Sequence, residues 1–330
     1  MKPARFTLLL IAFTAVGFGY IIWSAVKHGD QVGRAHYEKP ELTVMTYPSF
    51  SSAVGPGPKL FRIFEQRHNI KVILVNGGDS QVMTKKIIGA KTFITDVVVG
   101  IDSMSKLAAD NKVEWHHKLI PIDWAPLGYL YKKSKVANPP ESLQDLLKPQ
   151  FKGQVSFQDP RMSTPGLYFL TWIFTSLTSE ASQYLQKMKL QIHSVSPSWA
   201  SAYGLFQRDW VQLTLSYQTS LLFHRLEEKN TDVEFAVFPD GHPVQTEYAG
   251  VPANCKQCDL ATKWVEFLQE PEAQKIIMTH NYMFPILPEV MTGTEFANLP
   301  KLKLLPSSQF EQSAEQQQDW IKQWIDIFRP

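Results

Sequence analysis

Three β-rich runs separated by helix-patterned stretches open the part of the chain that can form a packed fold. LTVMTY (42–47), KVILVN (71–76) and TDVVVG (95–100) are strand-like. Between the first two, GPGPKLFRIFEQRHN places Leu60, Ile63 and Phe64 on one helical face, and SQVMTKKIIGA after the second is also helical. Such alternation predicts an α/β fold with a parallel or mixed sheet covered by helices, and it predicts KVILVN as a buried strand. Sheets of this kind take ligands at the carboxyl ends of their strands. The polar residues just past these strands are therefore of interest: Tyr47, Ser49, Ser51, Asp79, Ser80 and Asp102.

The second half continues the pattern. LGYLYKK and QVSFQDP read as strands, with a short helix between them begun by Ser142 and Asp145 in the manner of a capping box and ended by Pro149. FQDPRMSTPGLYFLTWIF (157–174) then runs from a polar turn into an apolar helix. Ser163 or Thr164 is expected to cap that helix, with Pro165 in its first turn, where a missing N–H costs nothing. The same free N–H groups and hydroxyls would also suit an anion or a ligand arm. Val211–Tyr217 is expected as a strand, and Tyr217–Ser220 repeats the polar opening before another helix. VEFAVFPDGHPVQTEYAG returns in strands, and CDLATKWVEFLQEPEAQKIIMTH puts Leu260, Trp264, Phe267 and Leu268 on one helical face. A last helix is capped by Ser313, with Gln316 completing the box and Trp320, Ile321, Trp324 and Phe328 facing inward.

The remaining features narrow the class. The chain has 330 residues and a net charge of +2, so its electrostatics do not point to nucleic acid. Aromatic residues make up 12% of it, an excess suited to stacking a flat ligand. Lys2 and Arg5 precede an uncharged run from Phe6 to Val26, read as an export signal or an uncleaved membrane anchor, with residues 27–40 as a polar tether. Cys255 and Cys258 are the only cysteines. In an exported chain a local disulfide is the leading expectation, ahead of a redox pair, a zinc site or free thiols. No G-x-S-x-G, P-loop, G-x-G-x-x-G or H-E-x-x-H motif occurs, and His116-His117 reads as a solvated pair. Nothing calls for an enzyme, a cofactor or a metal.

SFSSAVGPGPKLFRIFE, FQDPRMSTPGL, WASAYGLFQRDWVQLTLSYQTSLLFHRLEEK and NYMFPI together resemble the periplasmic thiamine-binding proteins of bacterial ABC importers. PPESLQDLL resembles the wider family of extracellular solute-binding proteins. The resemblance runs from about residue 41 to the end. It implies a two-lobed periplasmic-binding-protein fold of type II, with mixed sheets, helices on both faces and ligand in the interlobe cleft. Residues 41–124 plus 236–290 would form one lobe, and 125–235 plus 291–330 the other. It implies capture of thiamine or a thiamine phosphate by a monomer, and delivery to an ABC permease in the inner membrane. Carried over by motif, Trp199, Tyr217, Tyr47 and Tyr282 would line the ligand and Asp79 would meet the aminopyrimidine. Ser163 and Thr164 would offer hydroxyls to the ligand's arm.

The chain departs from the family pattern in several places. Val54 and Tyr282 stand where tryptophans are usual, Pro48 replaces an acidic residue, Phe157 replaces a tyrosine, and the stretch 102–121 looks shortened. These differences leave open another aromatic cation, a polyamine or iron(III) as the ligand, although the absence of a Tyr-Tyr pair argues against iron. A membrane-anchored ligand sensor built on the same fold is the alternative from another class.

Overall fold

A computed structural model describes residues 39–329. The apolar run 6–26, and with it the export signal or anchor, lies outside the described residues, as does nearly all of the tether. Among the described residues no helix is long and apolar enough to cross a membrane.

Ten strands form one open mixed sheet: β1 (Glu41–Thr46), β2 (Lys71–Asn76), β3 (Val97–Asp102), β4 (Trp115–Lys132), β5 (Val155–Gln158), β6 (Ile192–Ser196), β7 (Leu213–Tyr217), β8 (Val233–Ala236), β9 (Val244–Pro252) and β10 (Phe284–Pro285). The order is β2-β1-β3-β9-β4-β7-β5-β6, with β8 and β10 also pairing with β4. The outer strands pair in parallel: β1 with β2 and β3 at one end, β5 with β6 and β7 at the other. Parallel neighbours require a crossover, and helices supply it. Gly57–His68 links β1 to β2, Ser80–Gly89 links β2 to β3, and Trp199–Gln207 links β6 to β7. The middle of the sheet is antiparallel, through β3–β9, β9–β4 and β4–β7.

The 18 residues of β4 span that middle. Trp115–Pro126 pair with β9, and Leu127–Tyr131 pair with β7. The sequence suggests only the second part. Pro121 obscures the first, because proline lacks a ladder donor. The strand absorbs it with register shifts, one of them between Pro121 and Asp123. KVILVN is not a buried strand: β2 is the sheet edge, and Leu74 is 46% exposed. Its apolar run satisfies one covered face and a sheet margin. The segment after Ser142 is not a helix but two 3-10 turns, Gln144–Leu147 and Pro149–Phe151. Half of the expected box forms: Ser142 Oγ accepts from the Asp145 N–H at 3.2 Å, but the Asp145 carboxylate accepts from the Glu141 N–H instead of from Ser142; the first turn does stop before Pro149, which opens the second.

Core side chains gather on either side of this middle. Phe61, Phe64 and Phe267 surround the buried Trp264 with ring centroids 5.0–5.7 Å away. Each such aromatic pair contributes about 0.5–1.5 kcal/mol beyond simple burial. Phe157, Phe169, Trp172 and Trp324 belong to a second cluster, against which the C-terminal helix Ala314–Phe328 packs, with Trp320 stacked on Phe174 at 5.1 Å. Ser313 caps that helix by accepting from the Gln316 N–H. A third cluster joins Tyr203 and Phe206 to Phe284 and Phe296, so it draws on distant parts of the chain.

Cys255 and Cys258 are joined in a disulfide, their Cα atoms 5.3 Å apart, where the chain enters the helix Cys258–Phe267. Buried Asp96 fixes that entry. One of its oxygens accepts from the Lys256 and Gln257 N–H groups, and the other accepts from the Thr43 N–H of β1. Asp96→Ala leaves three backbone donors without their charged acceptor, and should lower stability by about 3–5 kcal/mol in denaturant unfolding. Reduction of the disulfide opens a very short loop and should cost about 2 kcal/mol on the chain-entropy estimate, read as a modest drop in Tm.

Candidate functional site

The carboxyl ends of β1, β2, β3 and β7 converge on one cavity of about 770 Å³, within the range of small-molecule sites. Tyr47 follows β1, Asp79 follows β2, and Tyr217 ends β7. The helices Ser80–Gly89, Thr164–Leu177 and Trp199–Gln207 all begin at its wall, with Ser80, Thr164 and Trp199 among the lining residues. Gln245 and Glu247 reach it from β9, and Asn281 and Tyr282 from the end of the helix Pro271–Asn281.

One wall is aromatic. Trp199 stacks on Tyr203 at 4.7 Å and lies 6.4 Å from Tyr217. Its indole N–H donates to Ser216 Oγ at 3.0 Å, which fixes the ring's face toward the cavity. Tyr203 is held in turn by His224, 2.7 Å from its hydroxyl. Tyr282 adopts a left-handed backbone (φ 51°) as the helix before it ends, donates to Glu227 at 3.0 Å, and meets Phe223 edge-on.

The floor is acidic and hydrogen-bonded. The Tyr47 hydroxyl donates to Glu247 Oε2 at 2.5 Å, and Gln245 Nε2 donates to Glu247 Oε1 at 3.1 Å. Asn281 Nδ2 donates both to the Tyr47 hydroxyl and to Asp123 Oδ2. The Tyr217 hydroxyl donates to Gln245. Burial dominates the protonation of these groups, because the charged form of a carboxyl loses water there. It pushes Asp123 up to about 7, against the favourable amide of Asn281. Burial, reinforced by the nearby Asp123 charge, raises Glu247 as well. Asp79 is pushed up to about 6 by burial, with the Ser163 side chain working against the shift and Asp102 adding to it.

The sequence-predicted residues Tyr47, Asp79, Thr164, Trp199, Tyr217 and Tyr282 all line this cavity. Ser163 does not. It occupies the N-cap position of the helix Thr164–Leu177, yet its side chain makes no cap hydrogen bond and is fully buried. A turn closed by the Ser163 N–H on the Asp159 carbonyl carries it beneath the surface. Thr164 does not cap either: its hydroxyl donates to Asp102 Oδ2 at 2.6 Å, joining the start of this helix to the end of β3. Gly166 lets the helix lie on β5, since a Cβ there would stand 2.3 Å from the Gln158 carbonyl oxygen. Glu247, Gln245, Asp123 and Asn281 escaped sequence reasoning. The signal for the first two was present: Gln245 and Glu247 stand two apart in VQTEYAG, a polar pair on one face of an otherwise buried strand. Val54 sits at the cavity wall and is 80% exposed.

Residues 80–305 match the family of bacterial extracellular solute-binding proteins. The chain belongs to that family. It is 35% identical over 307 residues to the thiamine-binding periplasmic protein of Salmonella typhimurium, which covers 87% of this chain and 93% of that protein. Identity to the thiamine-binding periplasmic protein of Escherichia coli is 35% over 311 residues, with the same coverage of both chains. The solved structure of a periplasmic thiamin binding protein superposes with a TM-score of 0.79 at 32% identity, over 90% of this chain and 99% of the other. The fold is thus that of type II periplasmic binding proteins.

Among the described residues, one group of three side chains has metal-ligating geometry: His116 with Cys255 and Cys258. None of the three lines the cavity, and the two sulfurs are bonded to each other.

Gly100 holds φ at +99°, and a Cβ there would stand 2.3 Å from the Tyr47 ring. Gly100→Ala should therefore displace Tyr47 from Glu247 and lower stability by about 1–3 kcal/mol in thermal or denaturant unfolding.

Proposed function

We propose that this protein is the substrate-binding component of an ABC import system, and that it captures thiamine or a thiamine phosphate. The observation that carries this is the pairing, within one cavity, of an aromatic wall (Trp199, Tyr203, Tyr217) with a buried carboxyl, Glu247, and a half-buried one, Asp79. Thiamine is a cation with two flat rings. Each good aromatic face offers a ring cation about 0.5–2 kcal/mol, and a buried carboxyl needs a positive partner. Tyr47 and Tyr282 close the two ends of the ring site, and Asp79 faces the aminopyrimidine. Thr164 stands at the opening of a helix whose free N–H groups suit the hydroxyethyl arm or its phosphate. Thiamine-binding periplasmic proteins with 31–35% identity over most of the chain support the same ligand.

The protein acts by binding rather than by catalysis. Residues 41–124 with 236–290 form one lobe and 125–235 with 291–330 the other, with β4 crossing from the first to the second. As a monomer in the periplasm, held there or exported by the segment 6–26, it delivers its ligand to an inner-membrane permease.

The acidic floor also suits a polyamine, so the discriminating experiment is titration calorimetry of the purified protein with thiamine, its mono- and diphosphate, spermidine and iron(III). Thiamine is expected to bind tightly and Trp199→Ala to weaken it by about thirtyfold or more, roughly 2 kcal/mol. Unchanged affinity in that variant would show the ring site to be elsewhere. Heat with spermidine alone would replace thiamine as the ligand.

A further inference from the structure

Asp123 on β4 and Glu247 on β9 are direct cross-strand partners. Opposed side chains on antiparallel strands stand about 4.5–5.5 Å apart at Cβ, and like charges in that relation repel. Both residues are buried, at 0% and 7% exposure. What faces them brings no positive charge. Tyr47 comes from the end of β1, Gln245 from β9, and Asn281 from the helix Pro271–Asn281. Asp102 at the end of β3 adds negative charge beside Glu247, and Tyr217 at the end of β7, near Asp79, bonds to Gln245. On the cavity wall, Lys59 Nζ donates to His280 Nε2 at 2.6 Å and is directed to that imidazole rather than to the pair, while burial and the Lys59 charge hold His280 below its ordinary value. Asp123 Oδ1 accepts no hydrogen bond at all.

Two adjacent buried carboxylates without a cation cannot both stay ionised. We propose that the Asp123–Glu247 pair is a proton-exchanging receptor for an organic cation: the empty cavity keeps one proton on the pair, and a positively charged ligand takes its place. The exchange balances simply. One carboxyl O–H bond breaks, the proton passes to solvent, and the ligand's charge neutralises the carboxylate left behind. Glu247 lines the cavity and meets the cation, whereas Asp123 sits behind it as a positioning residue, linked through Tyr47 and Asn281. The raised affinity of both carboxyls for protons agrees with this arrangement. The choice of thiamine as probe rests on the function proposed above; the exchange itself requires only a cation.

Thiamine's ring charge is permanent, so between about pH 6 and about pH 8 the linked proton belongs to the protein. Titration calorimetry in buffers of different ionisation enthalpy counts the protons released. For one group titrating at about 7, affinity should rise roughly tenfold across that interval, with release of close to one proton at the acid end. Glu247→Gln should bind more weakly, and from about pH 7 upward, where Asp79 with its value of about 6 has already lost its proton, it should show little pH dependence and no proton release. If that variant does not fold, Asp123→Asn and the wild-type buffer comparison test the same point. Thiamine bound with constant affinity and no proton release would overturn the exchange and leave the thiamine assignment standing. If thiamine does not bind at any pH, that assignment fails, and melting of the ligand-free protein decides the exchange. Carboxyls with raised pKa in the fold hold protons that the unfolded chain gives up, so their stabilisation is present at acid pH and is lost as pH rises toward about 7. A wild-type Tm that falls relative to Glu247→Gln from about pH 6 to about pH 8 supports the bound proton; parallel curves overturn it.

Discussion

The strand Trp115–Lys132 is the constraint on which the rest of the structure depends. It pairs with β9 along its first part, with β7 and β8 along its second, and with β10 at Trp124. Each outer group of parallel strands is complete in itself through helical crossovers, and within the sheet this antiparallel middle joins the two groups. Backbone hydrogen bonds buried in the centre of a sheet must be made somewhere, and β4 makes them on both of its edges. The cavity lies where pairing with β9 ends on one edge of this strand, at Pro126, and pairing with β7 begins on the other, at Leu127. Asp123 comes three residues before that point, and Tyr217, the β7 partner of Leu127, contributes its ring at the same level.

The site's electrostatics follow from that position. A central strand is the most desolvated place in a sheet, and a carboxyl there must find partners or take a proton. Glu247 finds Tyr47 and Gln245, and Asp123 finds Asn281. All of these partners are neutral donors, which orient the carboxyls without neutralising them. The remaining charge deficit is the property by which the cavity selects a cation, and the aromatic wall gives that cation a face to rest on. Two dedicated hydrogen bonds, Trp199 to Ser216 and Tyr203 to His224, hold the wall in place, so its rings are positioned before any ligand arrives.

Much of this is legible in the sequence. The strand–helix alternation over 42–100 marks the α/β class, and the FQDPRMSTPGL and LSY stretches carry the family resemblance. Trp199, Tyr217, Tyr47, Thr164, Asp79 and Tyr282 do meet at one cavity. Ser163 was misjudged because a cap is a matter of rotamer and turn geometry: an N-cap serine whose side chain turns inward reads the same as one that bonds its helix. β2 was misjudged because an apolar run records how much of a strand is covered only in the company of its neighbours, and β2 has a neighbour on one side alone. The first part of β4 was hidden by a proline that its register shifts accommodate.

By itself the sequence determined the periodicities, and with them the element types, the apolar faces that had to be covered, and the aromatic and hydroxyl residues available at the strand ends. Those are local properties, set by side-chain spacing along the chain. Only the tertiary structure decided that Asp123 and Glu247, 124 residues apart, face each other across two central strands, that Asn281 bridges Asp123 to Tyr47, and that Ser163 is withdrawn. Pairing register and burial are non-local: they depend on which strands become neighbours and how much water is left between them. The charge that the cavity demands of its ligand comes from that pairing.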